Sequence, residues 1–198
     1  MVGKQVYHLL RAHIEKRVKL TDEEFERAKT YFIPKKIRRG QFLLHAGEVC
    51  RYVAFVEKGC LRQYSIDRNG EEHVVQFAIE DWWISDMYST LTGTPATYNI
   101  DALEDSELLL FDRSRLDEFT EKLPKFDRFF RILLEGAFIA KERRIASSLS
   151  MSAEQRYLNM LDTYPKIVQR VPLTQIASYL GITPQSLSRI RKTLVEKK

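Results

Sequence analysis

The chain has 198 residues, with 32 lysines and arginines against 27 aspartates and glutamates, and its formal net charge is +5. Hydrophobic residues make up 44% of the composition, which is enough for a packed core and excludes global disorder. The charge is uneven: residues 150–198 carry eight basic and three acidic side chains, whereas residues 1–149 are neutral overall. A basic module beside a neutral one indicates a nucleic-acid or acidic-membrane partner.

Cysteine usage and hydropathy narrow the class of protein further. Cys50 and Cys60 allow at most one disulfide, lie outside any Cys-x-x-Cys pair and have no histidine nearby, so we expect free, partly buried thiols rather than a zinc or iron–sulfur site. The N-terminus lacks the apolar core of a signal peptide, and no stretch approaches the ~18 apolar residues of a membrane span. We therefore expect a cytoplasmic protein without a membrane partner.

Residues 5–31 are predicted to be helical because apolar positions recur at helical spacing. The apolar face of the first helix comprises Val6, Leu9, Leu10 and Ile14. Thr21 and Glu24 form a capping-box signature for a second helix, and Pro34 is expected to close the helical region.

The pattern changes between Ile37 and Phe111 to short apolar runs separated by glycines. Strands are predicted at residues 41–47, 52–59, 61–66, 73–79, 98–103 and 107–112. The sequence from Asp67 to Gly70 is a hairpin signal between two of them. Regular strands with glycine turns predict an all-β barrel or a double-sheet roll.

Helical periodicity returns after Asp112. Ser114 is expected to cap a short helix through Glu121, and Pro124 suits the first turn of a long one. Two apolar stripes follow the long helix, namely Phe126, Phe130, Leu133, Ala137 and Ala140, and Phe129, Ile132, Gly136, Ile139 and Arg143. We favour a dimerisation helix, with an ordinary core helix as the alternative.

The last segment contains a predicted helix-turn-helix. A helix over 152–164, capped by Ser152 with Leu158 and Leu161 inward, ends at Pro165. One further helix then ends at Gly181, and the next begins with Thr183 as cap. Their inner faces are expected to comprise Ile176, Ala177, Leu180, Leu187, Ile190 and Leu194.

Hydrogen-bonding and basic residues occupy the outer face of the second of these helices. Arginine reads guanine and glutamine reads adenine bidentately in the major groove, while lysine suits phosphates. The DNA-binding candidates are Thr174, Thr183, Gln185, Ser186, Ser188, Arg189 and Lys192. The alternative is a helical hairpin with a solvated basic face.

This order of elements resembles the Crp/Fnr family of bacterial transcription regulators, on the strength of residues 37–64, the long helix and residues 173–194. The resemblance implies an α+β fold with an N-terminal double-stranded β-helix, or jelly roll, of the cyclic-nucleotide-binding type. It implies helices and a sensor roll in 1–112, a linker and dimerisation helix in 113–149, and a DNA-binding domain in 150–198. A homodimer would bind a pseudo-palindromic site.

The family's cyclic-nucleotide cassette is degenerate in this sequence. Asp86 stands for its ribose-binding glutamate and Thr97 for its phosphate-facing hydroxyl, but Ala96 replaces its arginine. Residues 41–112 carry four basic and thirteen acidic side chains, a net of −9 that disfavours an anionic ligand. We predict that cyclic AMP does not bind.

A different, apolar or weakly charged effector, or none, is expected in a pocket between the roll and the long helix. The candidates for lining it are Asp86, Met87, Thr97, Tyr98 and Phe138, beside Trp82 and Trp83, with core packing as the alternative role.

A second departure from the family lies in the DNA-reading helix. Pro184-Gln185 replaces the frequent Arg-Glu pair, so a different target sequence is expected. The chain ends at Lys198, which leaves little room for the β-hairpin wing of many relatives.

Other function classes fit the sequence less well. A cupin-type enzyme needs a metal cluster, but the four histidines show no His-x-His pattern in the roll, and His45 and His73 are expected to be ordinary strand residues. We expect no enzymatic activity, no metal and no cofactor. The expected partners are double-stranded DNA, a second copy of the chain and an unidentified small-molecule effector, and RNA polymerase is a further candidate. The alternative function is a ligand-sensing or protein-interaction module without sequence-specific DNA binding.

Overall fold

Two short helices open the chain in a computed structural model that describes residues 7–196. They are α1 (His8–Glu15) and α2 (Asp22–Lys29). The predicted capping box is confirmed, because Thr21 accepts a hydrogen bond from the Glu24 N–H at 3.1 Å and Glu24 accepts one from the Thr21 N–H at 2.7 Å. Leu10 and Ile14 of the predicted apolar face are buried, and Val6 lies outside the described residues.

Eight strands follow and form two four-stranded antiparallel sheets, ordered β1-β8-β3-β6 and β2-β7-β4-β5. The strands are β1 (Phe32–Ile37), β2 (Phe42–Leu44), β3 (Tyr52–Lys58), β4 (Leu61–Ile66), β5 (Glu72–Ala78), β6 (Trp83–Ile84), β7 (Asn99–Ala102) and β8 (Ser106–Asp112). The six predicted strands and the double-sheet roll are therefore confirmed. A short helix, α3 (Met87–Thr92), lies between β6 and β7.

One expectation about this region is wrong. Pro34 does not close a helical region but lies inside β1, in register with Leu109 of β8. A proline fits there because β1 is at the edge of its sheet, where a missing N–H leaves no neighbouring strand unpaired. The two-residue strand β6 was not predicted either.

The remaining helices follow a 3-10 turn at Arg113–Arg115. They are α4 (Leu116–Lys122), α5 (Lys125–Ser150), α6 (Ala153–Thr163), α7 (Pro165–Arg170), α8 (Leu173–Leu180) and α9 (Pro184–Glu196). The first turn is capped by Asp112, whose carboxylate accepts the Ser114 N–H at 2.9 Å, so Ser114 is not the cap that we expected. Helix α6 ends just before Pro165, as predicted, and Pro165 also begins α7, because a proline at the first helical position loses no intrahelical hydrogen bond.

The start of α6 is as predicted, but its buried face differs from the predicted one. Ser152 caps α6 as predicted, in a capping box with Gln155. Its buried residues are Tyr157 and Met160, whereas Leu158 is 43% exposed and Leu161 is only partly buried. The inner face is therefore rotated by one residue from the predicted one.

The core has three parts. One joins α1, α2 and the first half of α5 to the outer side of a sheet, and a second fills the space between the sheets. The third is shared by the roll and the C-terminal helices, and its buried members include Tyr64, Phe77, Tyr157, Ile176 and Leu187. Within residues 7–196, no helix combines the length and apolar character that crossing a membrane requires.

A buried histidine fastens α1 to the roll. The Trp83 indole N–H donates to His13 Nε2 at 3.1 Å, so the other ring nitrogen, Nδ1, carries the hydrogen and donates to Asp81 at 2.7 Å. Burial, followed by the charge of Arg17, lowers the pKa of His13. The imidazole is therefore held in its neutral form.

Candidate nucleic-acid interface

The turn between α8 and α9 has the geometry of a helix-turn-helix. Gly181 ends α8 in the left-handed region at φ +66°, where a side chain would add strain. The Ile182 N–H donates to the Ala177 carbonyl and the Gly181 N–H to the Ser178 carbonyl, each at 3.0 Å. This pair of bonds satisfies the last carbonyls of α8 and directs the chain into α9.

Helix α9 begins as the sequence predicts. The Thr183 hydroxyl accepts the Ser186 N–H at 3.2 Å, and Pro184 occupies the first helical position. The Thr183 and Ser186 hydroxyls also lie 2.9 Å apart in a hydrogen bond. Thr183 and Ser186, both DNA-binding candidates, therefore stabilise the N-terminus of α9.

The inner faces of both helices are confirmed. Ile176, Ala177, Leu180 and Leu187 are buried, and Ile190 and Leu194 pack partly buried against them. The apolar pattern of the sequence thus fixes which side of α9 faces outward.

We call the outward side the recognition face and define it as Gln185, Ser188, Arg189 and Lys192. All four side chains are exposed. Among residues 7–196, no hydrogen bond or ion pair involves the side chain of Gln185, Ser188 or Arg189, and Lys192 has only a long 3.9 Å contact with Glu196. Thr174 is also exposed, in the first turn of α8. The recognition face keeps its donors and acceptors available to a ligand.

The other side of α8 rests on strand β5. Ser178 Oγ donates to the Glu72 carbonyl at 2.6 Å and accepts the Val74 N–H at 2.9 Å. Beside it, the Arg62 guanidinium donates to Gln175 Oε1 at 2.6 Å, to both oxygens of Asp101 at 2.8 and 3.0 Å, and to Glu72. The helix-turn-helix is therefore held by the sensor roll.

Two further arginines join the C-terminal helices to the roll. Arg170 of α7 donates to both oxygens of Glu80, at 2.6 and 3.0 Å, and to both oxygens of Glu104, at 3.0 and 2.7 Å. Hydrogen bonds from Arg170 hold the pKa of Glu80 below its usual range despite burial. Arg144 of α5 donates to the carbonyls of Val74, Val75 and Tyr179.

The region that corresponds to the degenerate cassette closes on itself. Asp86 is 1% exposed, and its Oδ1 accepts the Ser89 N–H at 3.1 Å as the cap of α3. Its Oδ2 accepts the N–H groups of Thr97 and Tyr98, at 3.1 and 3.4 Å. Within the described residues, no cation pairs with this carboxylate, which is held by backbone donors alone.

The five effector-pocket candidates do not form one site within a single chain. Asp86, Met87, Thr97 and Tyr98 lie together around α3, whereas Phe138 is 65% exposed on α5. A cavity of 170 Å³ lies in the roll instead, lined by residues that include Leu43, Leu44, Cys50, Ile100 and Leu110 and by none of the five candidates.

Both cysteines are free, as expected, and they are buried rather than partly buried. Burial raises the pKa of the Cys60 thiol to about 12, so it stays protonated and unreactive at neutral pH.

An exposed apolar stripe on α5 was missed by the sequence analysis. Phe126 and Phe129 are fully buried, but the second half of the helix is uncovered. Its aligned apolar residues are Leu134 (50% exposed), Phe138 (65%), Ile145 (55%) and Leu149 (84%). At ~100° per residue these four lie within an arc of about 60°. Their spacing of four, seven and four residues could have predicted this stripe. We instead selected two other stripes, which include the small residues Gly136, Ala137 and Ala140.

The family model of the cyclic nucleotide-binding domain matches residues 34–122. Among curated proteins, the chain is 25% identical over 167 residues to the fumarate and nitrate reduction regulatory protein of Vibrio cholerae, a match that covers 79% of this chain. The same match spans 66% of the length of that relative.

Solved structures share the fold at lower identity. FixK2 from Bradyrhizobium japonicum superimposes with a TM-score of 0.69 at 19% identity, covering 84% of this chain and 85% of FixK2. The c-di-GMP-responsive global regulator CLP of Xanthomonas campestris gives a TM-score of 0.70 at 14% identity, covering 89% and 93% of the two chains. The α+β fold, with a roll, a long helix and C-terminal helices, is therefore common to all three.

Proposed function

We propose that this chain, a member of the Crp/Fnr family, is a transcription regulator that binds a pseudo-palindromic DNA site as a homodimer. Its relatives are regulators rather than enzymes, and we propose no catalytic activity and a place in the cytoplasm. The observation that carries the proposal is the recognition face, whose hydrogen-bonding groups and positive charge stay exposed while the opposite side of α9 is buried.

The recognition face has the chemistry for reading a major groove. The Arg189 guanidinium and the Gln185 amide are the two groups with bidentate geometry, for guanine and adenine respectively. Lys192 supplies a point charge for a phosphate. The first turn of α9, which Thr183 caps, is the end that enters the groove in this motif.

The exposed stripe on α5 supports the homodimer. Four large apolar side chains on one narrow face of a helix are costly in water, and a second copy of the same helix covers them by symmetry. Two recognition helices related by this axis would bind half-sites about 34 Å apart.

The closed cassette supports a roll that does not bind cyclic AMP. The backbone N–H groups of Ser89, Thr97 and Tyr98 already donate to Asp86, so an incoming phosphate would meet a carboxylate and no cation. Titration calorimetry with cyclic AMP is expected to show no binding at micromolar concentrations. Micromolar affinity would contradict this part of the proposal.

DNA binding is tested by selecting genomic fragments with the full chain and measuring mobility shifts at several salt concentrations. We expect a salt-dependent complex that is selective for an inverted repeat. Binding that ignores sequence, or no binding, would favour the ligand-sensing or protein-interaction module without specific DNA binding.

The dimer is tested by sedimentation with Phe138→Asp. The charge would fall within the stripe and the variant is expected to sediment as a monomer, whereas Arg143→Ala, on the opposite side of the same helix, should remain a dimer. A Phe138→Asp variant that stays dimeric would place the interface elsewhere.

A further inference from the structure

The hairpin between β4 and β5 brings three potential metal ligands together outside the recognition face. Single ligand atoms of Asp67, Glu71 and His73 all lie within 4.8 Å of one another. We propose that this group, which we call the hairpin triad, binds a divalent transition-metal ion. From the sequence we expected His73 to be an ordinary strand residue, because the roll contains no His-x-His pattern with a following glutamate.

The distances in the triad suit one ion. Asp67 Oδ2 and His73 Nε2 are 3.0 Å apart. Two ligands that are each about 2.1 Å from an ion, at an angle between about 90° and 110°, are separated by about 3.0–3.4 Å. These two atoms are therefore already at the separation of neighbouring ligands.

The backbone holds the Asp67 carboxylate in place without using the oxygen that faces His73. Asp67 Oδ1 accepts the N–H groups of Asn69 and Glu71, at 2.8 and 3.0 Å, whereas Oδ2 is hydrogen-bonded to His73 Nε2, a contact that a bound ion would replace. Gly70 adopts φ +83°, which lets the chain turn back within the triad. An ion would thus bind a largely formed pair of ligands, with Glu71 closing on it.

The charge of the triad also favours a cation. Within the described residues, neither Asp67 nor Glu71 pairs with a lysine or arginine, although the two carboxylates lie close together. A divalent ion would offset the repulsion between the two acids.

The donor set points to the class of metal. One imidazole nitrogen with two carboxylate oxygens suits zinc, manganese, cobalt or nickel better than calcium or magnesium, which prefer oxygen ligands alone. Glu71 and His73 are exposed, which leaves coordination positions for water.

The position of the triad links it to the helix-turn-helix. Glu72, between two of the ligands in sequence, contacts Ser178 through its carbonyl and Gln175 through its carboxylate. A bound ion would order the start of β5, on which α8 rests. An effect of the ion on DNA binding through α8 depends on the proposed function, whereas metal binding itself does not.

The test uses the full chain, stripped of metal with a chelator and titrated with Co²⁺ and Zn²⁺ in the absence of DNA. Calorimetry and the visible spectrum of Co²⁺ are expected to show one saturable site per chain. His73→Ala is expected to weaken binding more than about tenfold. The matched control is His45→Ala, which removes the exposed histidine stacked on Phe42 and should bind like the wild type.

Asp67→Asn separates loss of a ligand from loss of the turn. The asparagine oxygen can still accept the N–H groups of Asn69 and Glu71, so the hairpin should persist while affinity for the ion falls. Equal affinity in the wild type and His73→Ala, or no saturable binding, would overturn the proposal. Because no DNA is present, such a failure would leave the proposed DNA binding untouched.

Discussion

The cassette and the recognition face use polar groups in opposite ways. Around α3, the Asp86 carboxylate is buried and consumes three backbone donors of its own chain. On α9, the side chains of Gln185 and Arg189 are exposed and have no partner within residues 7–196. A polar group that is satisfied internally stabilises the fold, whereas one left free is available for binding. The Asp86 carboxylate therefore contributes to the fold, whereas the exposed side chains of α9 are available to a ligand.

Among the variants considered, Asp86→Ala should change stability most. Loss of the carboxylate leaves one buried and two partly buried N–H groups without their acceptor and removes the cap of α3, so we expect the free energy of unfolding to fall by about 2–4 kcal/mol. Urea denaturation measures it. Asp162→Ala, an exposed acid on α6, is the control and should change stability by less than about 0.5 kcal/mol. An equally small effect for Asp86→Ala would mean that the cassette does not depend on this carboxylate.

The opposite behaviour is expected for Arg189→Ala. Stability should barely change, while DNA affinity should fall by about 1–3 kcal/mol and selectivity should relax at one base position. Lys192→Ala should instead weaken all sequences alike and reduce the salt dependence. Binding isotherms on a panel of altered operators distinguish the two, with the exposed Lys19→Ala as control. A uniform loss for Arg189→Ala would mark Arg189 as a phosphate contact.

A smaller change in stability is expected at Thr183, which lies next to the recognition face and is also hydrogen-bonded within the chain. This residue is one of the DNA-binding candidates, and its hydroxyl acts as a cap. Thr183→Ala should cost about 1 kcal/mol of stability, and Thr183→Ser should restore most of it because serine caps equally well. Thermal unfolding compares the two variants, and a Thr183→Ser variant as unstable as Thr183→Ala would argue against the cap.

The weakest of these effects is a pH dependence of stability at His13. Like Asp86, His13 is buried and hydrogen-bonded within the chain. Because its pKa is lowered in the folded chain, the unfolded chain takes up the proton more readily. The contribution to stability is complete above pH ~6.5 and declines as the pH falls through that value. Denaturation at pH 7.5 and 5.5 should show a smaller difference for His13→Gln than for the wild type. His45→Gln, which alters an exposed ring, should keep the wild-type difference.

The sequence predicted most of the fold because local signals agreed with tertiary packing. Gly181, Thr183 and Pro184 marked the turn before any contact was known, and the inner residues of α8 and α9 followed from helical spacing. Pro34 was misjudged because its place in an edge strand depends on a partner, β8, more than seventy residues away. The cap formed by Asp86 and the contact between Asp67 and His73 were also out of reach, since each depends on atoms that only the folded backbone brings near.

The shared core of the roll and the C-terminal helices has a consequence for modularity. Ile176 and Leu187 of the helix-turn-helix are buried in the same cluster as Tyr64 and Phe77 of the roll, and Arg170 reaches across to Glu80 and Glu104. A fragment that begins at residue 150 would expose the apolar surface that the roll now covers. The helix-turn-helix is therefore unsuited to transplantation onto a foreign domain, and the roll and the C-terminal helices are expected to melt in a single cooperative transition.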